Sequence, residues 1–243
     1  MKILALESSG LVASVAVVTE EKMIGEFTTN FKKTHSQTLL PMMDQLLKTI
    51  GVDIKEIDAI AVSGGPGSFT GLRIGAATAK GLGQALNLPV IGVPTVDAIA
   101  YNLFGVTDVI CPLMDARRQQ VYTGLYTFEG QDMKTLSPAD ALPCKDILEK
   151  INAMGRPVVF LGDGVPVFKK MIEETVTVPY SFAPVHACVQ RAGTLGALGL
   201  IYYKNGIYTS AADHAPDYLR VSQAERERAE KLEGAPKENT FGK

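Results

Sequence analysis

No Gly-Lys-Ser/Thr follows any glycine cluster in this chain, and no G-x-S-x-G elbow occurs. Neither a Walker-type phosphate loop nor a strand-to-helix nucleophile is therefore written into it. Metal-binding spacing is also missing. The three cysteines, Cys111, Cys144 and Cys188, form no C-x-x-C, and His35, His186 and His214 each lack a second histidine at helical i+3 or i+4 spacing. A zinc site and a disulfide framework are both excluded by that pattern, and a reducing compartment is implied. Charge of one sign is not in excess, with 24 basic and 26 acidic residues and a formal net charge of −2. The field of an autonomous nucleic-acid binder is absent, and 46% hydrophobic residues exclude a disordered chain. Long apolar runs are lacking as well. Glu7 interrupts the first, Ile3 to Leu6, far short of a signal-peptide core, and none approaches a membrane span. A soluble, cytoplasmic protein without membrane contact is expected.

With 243 residues the chain buries about three-quarters of its unfolded surface, enough for two cores. Its most informative stretch runs from Asp58 to Leu86. The apolar run Ala59 to Val62 reads as a buried strand, and Leu72, Gly75, Ala76, Ala79, Leu82, Gly83 and Leu86 recur at helical spacing. Gly64, Gly65, Gly67 and Gly71 surround Pro66 between them. Such a turn serves either as an anion cradle at a helix N-terminus or as a tight connection. The glycine spacing is one residue off the dinucleotide fingerprint, and residues 86–94 carry no acid to hold a ribose.

A duplicated plan is visible. Ile3 to Leu6 runs into Glu7, turns at Ser8-Ser9-Gly10 and returns as Leu11 to Val18. Val109 to Met114 runs into Asp115, turns at Ala116-Arg117-Arg118 and returns as Val121 to Phe128. A strand entering glycines, Ala59 to Gly65, has its counterpart in Val158 to Gly164, each followed by a helix-like segment. Two copies of one βαβ-containing lobe are expected, 1–104 and 105–221, the last helix of the second able to pack back on the first. From 222 to 243 acids and bases mix with almost no apolar residue, which reads as a charged, disordered tail.

Two carboxylates at matching hairpin tips, Glu7 and Asp115, are either ordinary turn acids or the holders of a metal–nucleotide across a cleft. Arg117 either binds an anion or pairs with Asp115. Residues Ser36 to Ile50 carry Leu39, Leu40, Met43, Leu46, Leu47 and Ile50 on one helical stripe ended by Gly51, with Pro41 kinking the first turns. Thr95 to Phe104 reads as a helix capped by Thr95, and Ala192 to Tyr203 as a small apolar one. Gly75, Ala79 and Gly83 form a smooth ridge at four-residue spacing, suited to internal packing or to contact with another helix.

Four blocks resemble the bacterial TsaB (YeaZ) family: Ile3 to Ser9, His35 to Pro41, Ser63 to Gly75, and Asp115-Ala-Arg-Arg118, with a late match at Pro216 to Arg220. The resemblance implies an α/β, duplicated two-lobed actin-like or sugar-kinase-like ATPase fold. It implies a non-catalytic subunit that supports placement of threonylcarbamoyl on tRNA adenosine, pairing with a TsaD-type catalytic subunit and a TsaE-type P-loop ATPase. It also implies a homodimer when the chain is alone and only indirect contact with tRNA.

The interface implied by the family lies on the two helices, with His35, Leu39, Met42, Met43, Leu46, Leu72, Gly75, Ala76, Ala79 and Gly83 as its candidate residues. Glu7, Ser8, Gly65, Gly67, Asp115 and Arg117 form a degenerate nucleotide or anion loop, with at most weak or vestigial ATP or ADP binding. The catalytic relative's H-x-x-x-H falls on Thr95 and Ile99 of this chain, so neither a metal nor a catalytic residue is expected. The enzyme alternative is an autonomous ATP-dependent phosphotransferase or a metallopeptidase-like protein of the same superfamily.

Overall fold

The computed structural model describes residues 1–31 and 33–219. The expectation for the tail, 222–243, falls outside them. Two five-stranded sheets carry the chain. The first contains β1 (Lys2–Glu7), β2 (Ala13–Thr19), β3 (Met23–Thr29), β4 (Ala59–Gly65) and β5 (Val90–Pro94), in the order β3-β2-β1-β4-β5. The second contains β6 (Val109–Asp115), β7 (Gln120–Glu129), β8 (Asp132–Pro143), β9 (Val158–Leu161) and β10 (Tyr180–Phe182), in the order β10-β9-β6-β7-β8. Numbered within each half, both orders are 3-2-1-4-5. In both, the first strand pairs antiparallel with the second and parallel with the fourth.

The helices repeat too. Helices α1 (His35–Ile50), α2 (Phe69–Leu86) and α3 (Thr95–Tyr101) follow the third, fourth and fifth strands of the first half. Helices α4 (Cys144–Met154), α5 (Val165–Thr175) and α6 (Ala192–Lys204) follow their counterparts in the second. The second half thus repeats the strand and helix order of the first, as the duplicated plan leads one to expect.

Both faces of each sheet are covered, which is why the central strands read as unbroken apolar runs. On one face of the first sheet Leu4, Leu6, Val15, Val17, Ile60 and Val62 meet α1 and α2 through Leu39, Leu46 and Ala79. On its other face Ile3, Ala5, Val18, Ala61 and Ile91 meet α6 through Ala192, Leu195 and Leu198. Small residues on α6 let it lie close: a Cβ on Gly199 would stand 2.9 Å from the Ala61 Cβ. Across the second sheet, α4 and α5 cover Cys111, Leu113 and Phe160, while α3 covers Ile110, Met114, Tyr126 and Phe128.

The terminal helices are thus exchanged, α3 lying on the second sheet and α6 on the first. Asp97 of α3 joins them, accepting hydrogen bonds from the hydroxyls of Tyr126 on β7 (2.7 Å) and Tyr202 on α6 (3.5 Å).

Several local expectations need correction. Strand β2 begins at Ala13, because Leu11 is still in the exposed turn. Pro94, not Thr95, occupies the N-cap of α3; Thr95 is buried inside the helix with its hydroxyl unpartnered. Helix α1 ends as expected, at Gly51 in the left-handed region (φ 67°). All three cysteines are free.

Candidate functional site

The glycine turn between β4 and α2 is filled by the chain itself. Ser68 caps α2, its hydroxyl accepting from the Gly71 N–H at 3.3 Å, while the Ser68 N–H donates to the Ser9 carbonyl at 2.6 Å. Carbonyls of the first hairpin press on the bare glycines. A Cβ on Gly67 would lie 2.4 Å from the Ser9 oxygen, and one on Gly71 2.0 Å from the Ser8 oxygen. From the other side Asp217 closes in: its N–H donates to the Gly64 carbonyl at 2.7 Å, and its own carbonyl sits 2.2 Å from where a Gly65 Cβ would be. Gly65 holds φ at +110°, which bars most side chains independently. The glycines make room for backbone oxygens. That packing fits the tight-connection reading of the turn.

Of the two hairpin-tip carboxylates, the first turns inward. Glu7 is fully buried and binds its own turn, accepting from the Ser9 N–H (2.6 Å) and hydroxyl (2.5 Å). Burial, only partly offset by these bonds, pushes its carboxyl up to about 7. Ser8 is buried beside it, its hydroxyl donating to the Gly71 carbonyl at 2.9 Å.

Between the lobes lies a cleft of about 480 Å³, bordered by Gly67, Asp115, Arg117, Asp163 and Asp217 among others. Of the degenerate-loop residues, Gly67, Asp115 and Arg117 border it; Glu7, Ser8 and Gly65 do not. Asp115 folds its turn, accepting from the Arg117 N–H at 2.8 Å and pairing with the exposed guanidinium at 3.4 Å. The positive φ of Arg117, Arg118 and Gln119 (65°, 53° and 62°) gives this turn a tight left-handed path. Sequence inspection passed over Asp163, whose carboxyl is raised first by burial and then by the neighbouring Asp115 charge. Its place in the VVFLGDG counterpart of the first glycine strand is the signal that pointed to it.

The two-helix face is also redistributed. Leu39, Leu46, Leu72, Ala76 and Ala79 are buried, with Gly75 and Gly83 against their own sheet and connections, so they form no outer surface. Gly75 lies on the Ser8 hydroxyl and Val62, and Gly83 on Ala211 and Val90. A ridge of small residues turns inward because the sheet demands close approach. Met42 and Met43 are half-buried, and so is His35, whose Nε2 lies 2.8 Å from the Gly10 carbonyl. The outward stripe of α2 is instead Arg73, Ala77, Gly81 and Ala85, and on α1 Leu40 and Pro41 are exposed. Nothing lies within 4 Å of a Cβ placed on Gly81. Thr95 and Ile99 are fully buried, and no group of three or more His, Cys, Asp or Glu suited to a metal occurs among the described residues. No described helix is long and apolar enough to cross a membrane.

Comparison with known proteins places these features among relatives. Residues 22–228 match the family model described as TsaD, tRNA N6-adenosine threonylcarbamoyltransferase. The tRNA threonylcarbamoyladenosine biosynthesis protein TsaB of Bacillus subtilis is 33% identical over 225 residues, covering 93% of this chain and 96% of that protein. TsaB of Escherichia coli is 37% identical over 129 residues, 52% of this chain and 55% of that protein. Among solved structures, YeaZ from Pseudomonas aeruginosa superposes with a TM-score of 0.77 at 27% identity, covering 89% of this chain and 99% of that one.

Proposed function

Because the chain belongs to the TsaB family of tRNA threonylcarbamoyladenosine biosynthesis proteins, we propose that it serves that pathway as a non-catalytic subunit, pairing with a TsaD-type threonylcarbamoyltransferase through α1 and α2. The observation that carries the reading is the filled glycine turn. A phosphotransferase needs backbone N–H groups free to meet phosphate oxygens, whereas here the Ser8, Ser9 and Asp217 carbonyls stand against that turn. The absence of imidazole at Thr95 and Ile99 supports the same conclusion for metal-dependent transfer.

The outward stripe Arg73, Ala77, Gly81 and Ala85 supports the pairing, since small side chains let a partner helix approach closely. The same face joins two copies of the chain when the partner is absent. A TsaE-type ATPase supplies nucleotide chemistry to the assembly, and tRNA is held mainly by the catalytic partner. Nucleotide binding by this chain itself is weak or vestigial, and the assembly works in the cytoplasm.

Reconstitution tests the assignment. Threonylcarbamoyl transfer to tRNA is measured with purified TsaD-type and TsaE-type proteins, with and without this chain, and with this chain alone. Transfer only in the complete mixture is expected; transfer by the chain alone, or undiminished transfer without it, refutes the role.

A further inference from the structure

Across the Asp217 segment from the interlobe cleft, at the outer edge of the first sheet, lies another cavity of about 450 Å³. Its wall is β5, the edge strand. Ile60 N–H donates to the Pro89 carbonyl at 3.0 Å, so the odd-numbered residues of this segment turn their backbone toward β4. Even-numbered residues turn theirs outward. Val90 shows this directly, exchanging both hydrogen bonds with Thr209 (3.0 and 2.9 Å). The next outward residue is Gly92, which borders the cavity and to which no Thr209-like partner is bonded among the described residues. The one after that, Pro94, has no N–H to offer.

One residue therefore presents an adjacent donor and acceptor without a side chain to cover them. Against it lies the imidazole of His214, only 5% exposed, whose Cε1 would be 3.2 Å from a Gly92 Cβ. Its Nε2 has no hydrogen-bond partner, which is costly for a buried polar atom. Tyr208 borders the cavity too. Tyr203 covers one face of its ring (centroids 4.9 Å apart, 18° between planes), yet the side chain remains 47% exposed.

We propose that this cavity binds an uncharged heteroaromatic base, of the nucleobase class, edge-on to the Gly92 N–H and C=O and stacked on Tyr208. A donor–acceptor edge fits that pair, and a π-face fits the supported tyrosine ring. An added peptide strand is disfavoured, because β-augmentation needs a row of free backbone groups and this edge is taken by Thr209 at one end and closed by Pro94 at the other. Phosphate is also disfavoured. Asp213 and Asp217 border the cavity, and the nearby Lys80 ammonium is bound to the Ala212 and His214 carbonyls (2.8 and 3.0 Å). Burial and the Lys80 charge hold His214 below the usual histidine range, so the ring is neutral at pH 7 and able to accept as well as donate. The volume lies within the range of small-molecule sites, about 300–1,000 Å³.

Amide NMR of the full ¹⁵N-labelled chain, titrated with adenosine and separately with AMP, tests the proposal. A saturable downfield shift of the Gly92 amide with adenosine is expected, weaker with AMP. Tyr208→Ala, at an exposed position, reduces the affinity at least about fivefold, and His214→Phe, which keeps ring volume, also reduces it. A Gly92 amide that does not move up to the solubility limit of adenosine overturns the proposal. So does a response unchanged by Tyr208→Ala, or AMP binding more tightly than adenosine.

Discussion

At the scale of single residues, the first hairpin holds a buried acid whose protonation is coupled to folding. Burial raises the Glu7 carboxyl to about 7 in the folded chain, against 4.5 for a free glutamate. Between those two values the folded state keeps a proton that the unfolded state has released. The contribution is therefore fully present below about 4.5 and is lost as pH rises through 7. Glu7→Gln keeps the acceptor for Ser9 and removes the charge. Urea melts of both proteins should agree at pH 4 and diverge between about 4.5 and 7, the variant being the more stable above pH 7 by on the order of 3 kcal/mol. Parallel pH profiles would remove Glu7 from the account. Gly71 provides a steric counterpart, since Gly71→Ala forces a Cβ onto the Ser8 carbonyl 2.0 Å away. A loss of at least about 1–3 kcal/mol is expected by the same melts; an unchanged midpoint would show that the hairpin carbonyl yields freely.

At the scale of elements, α2 carries small residues on both of its faces, and only their packing tells the faces apart. Gly75, Ala79 and Gly83 have the spacing of a helix contact whether the neighbour is a sheet of the same chain or another subunit. The nearness of Ser8, Val62, Ala211 and Val90 makes them internal. Ala79→Arg should therefore unfold the chain, whereas Ala77→Arg, two positions back on the exposed stripe, should leave its circular dichroism intact and abolish self-association in sedimentation velocity. If Ala77→Arg leaves the oligomer unchanged, the proposed face is wrong. Strands β1, β4, β6 and β9 were legible because burial on both faces leaves short apolar runs. Edge strand β3, with its mostly half-buried residues, and the largely exposed β8 carry no such run, and their register comes from partners. Glu7 and Asp115 were visible as matching tips, but that Glu7 turns inward to Ser9 is a matter of χ angles and packing. Cavity-edge Gly92 was legible as part of a strand, while the end of the edge pairing at Val90 is set by Thr209, more than a hundred positions later.

At the scale of the whole molecule, the duplicated lobes are joined by exchanged helices and by the Asp97 link between β7 and α6. In a two-lobed phosphotransferase, nucleotide draws the lobes together by giving each glycine turn a phosphate to hold. Here the Ser8, Ser9 and Asp217 carbonyls stand against the first glycine turn, and the Asp115–Arg117 pair and the buried Asp163 carboxyl border the cleft. A thermal melt with ATP–Mg²⁺ weighs these arrangements. A ligand at 100 times its dissociation constant adds about 2.7 kcal/mol to stability, and for a domain pair of this size each kcal/mol raises Tm by roughly 2–4 °C. A working nucleotide site would thus raise Tm by more than about 5 °C at millimolar ATP if its affinity were in the range of about 10 μM. No rise of that size is expected in this chain. Observing one would mean that the hairpin carbonyls and the Asp217 segment leave the turn when nucleotide arrives, and the enzyme reading would return with the cleft as its site.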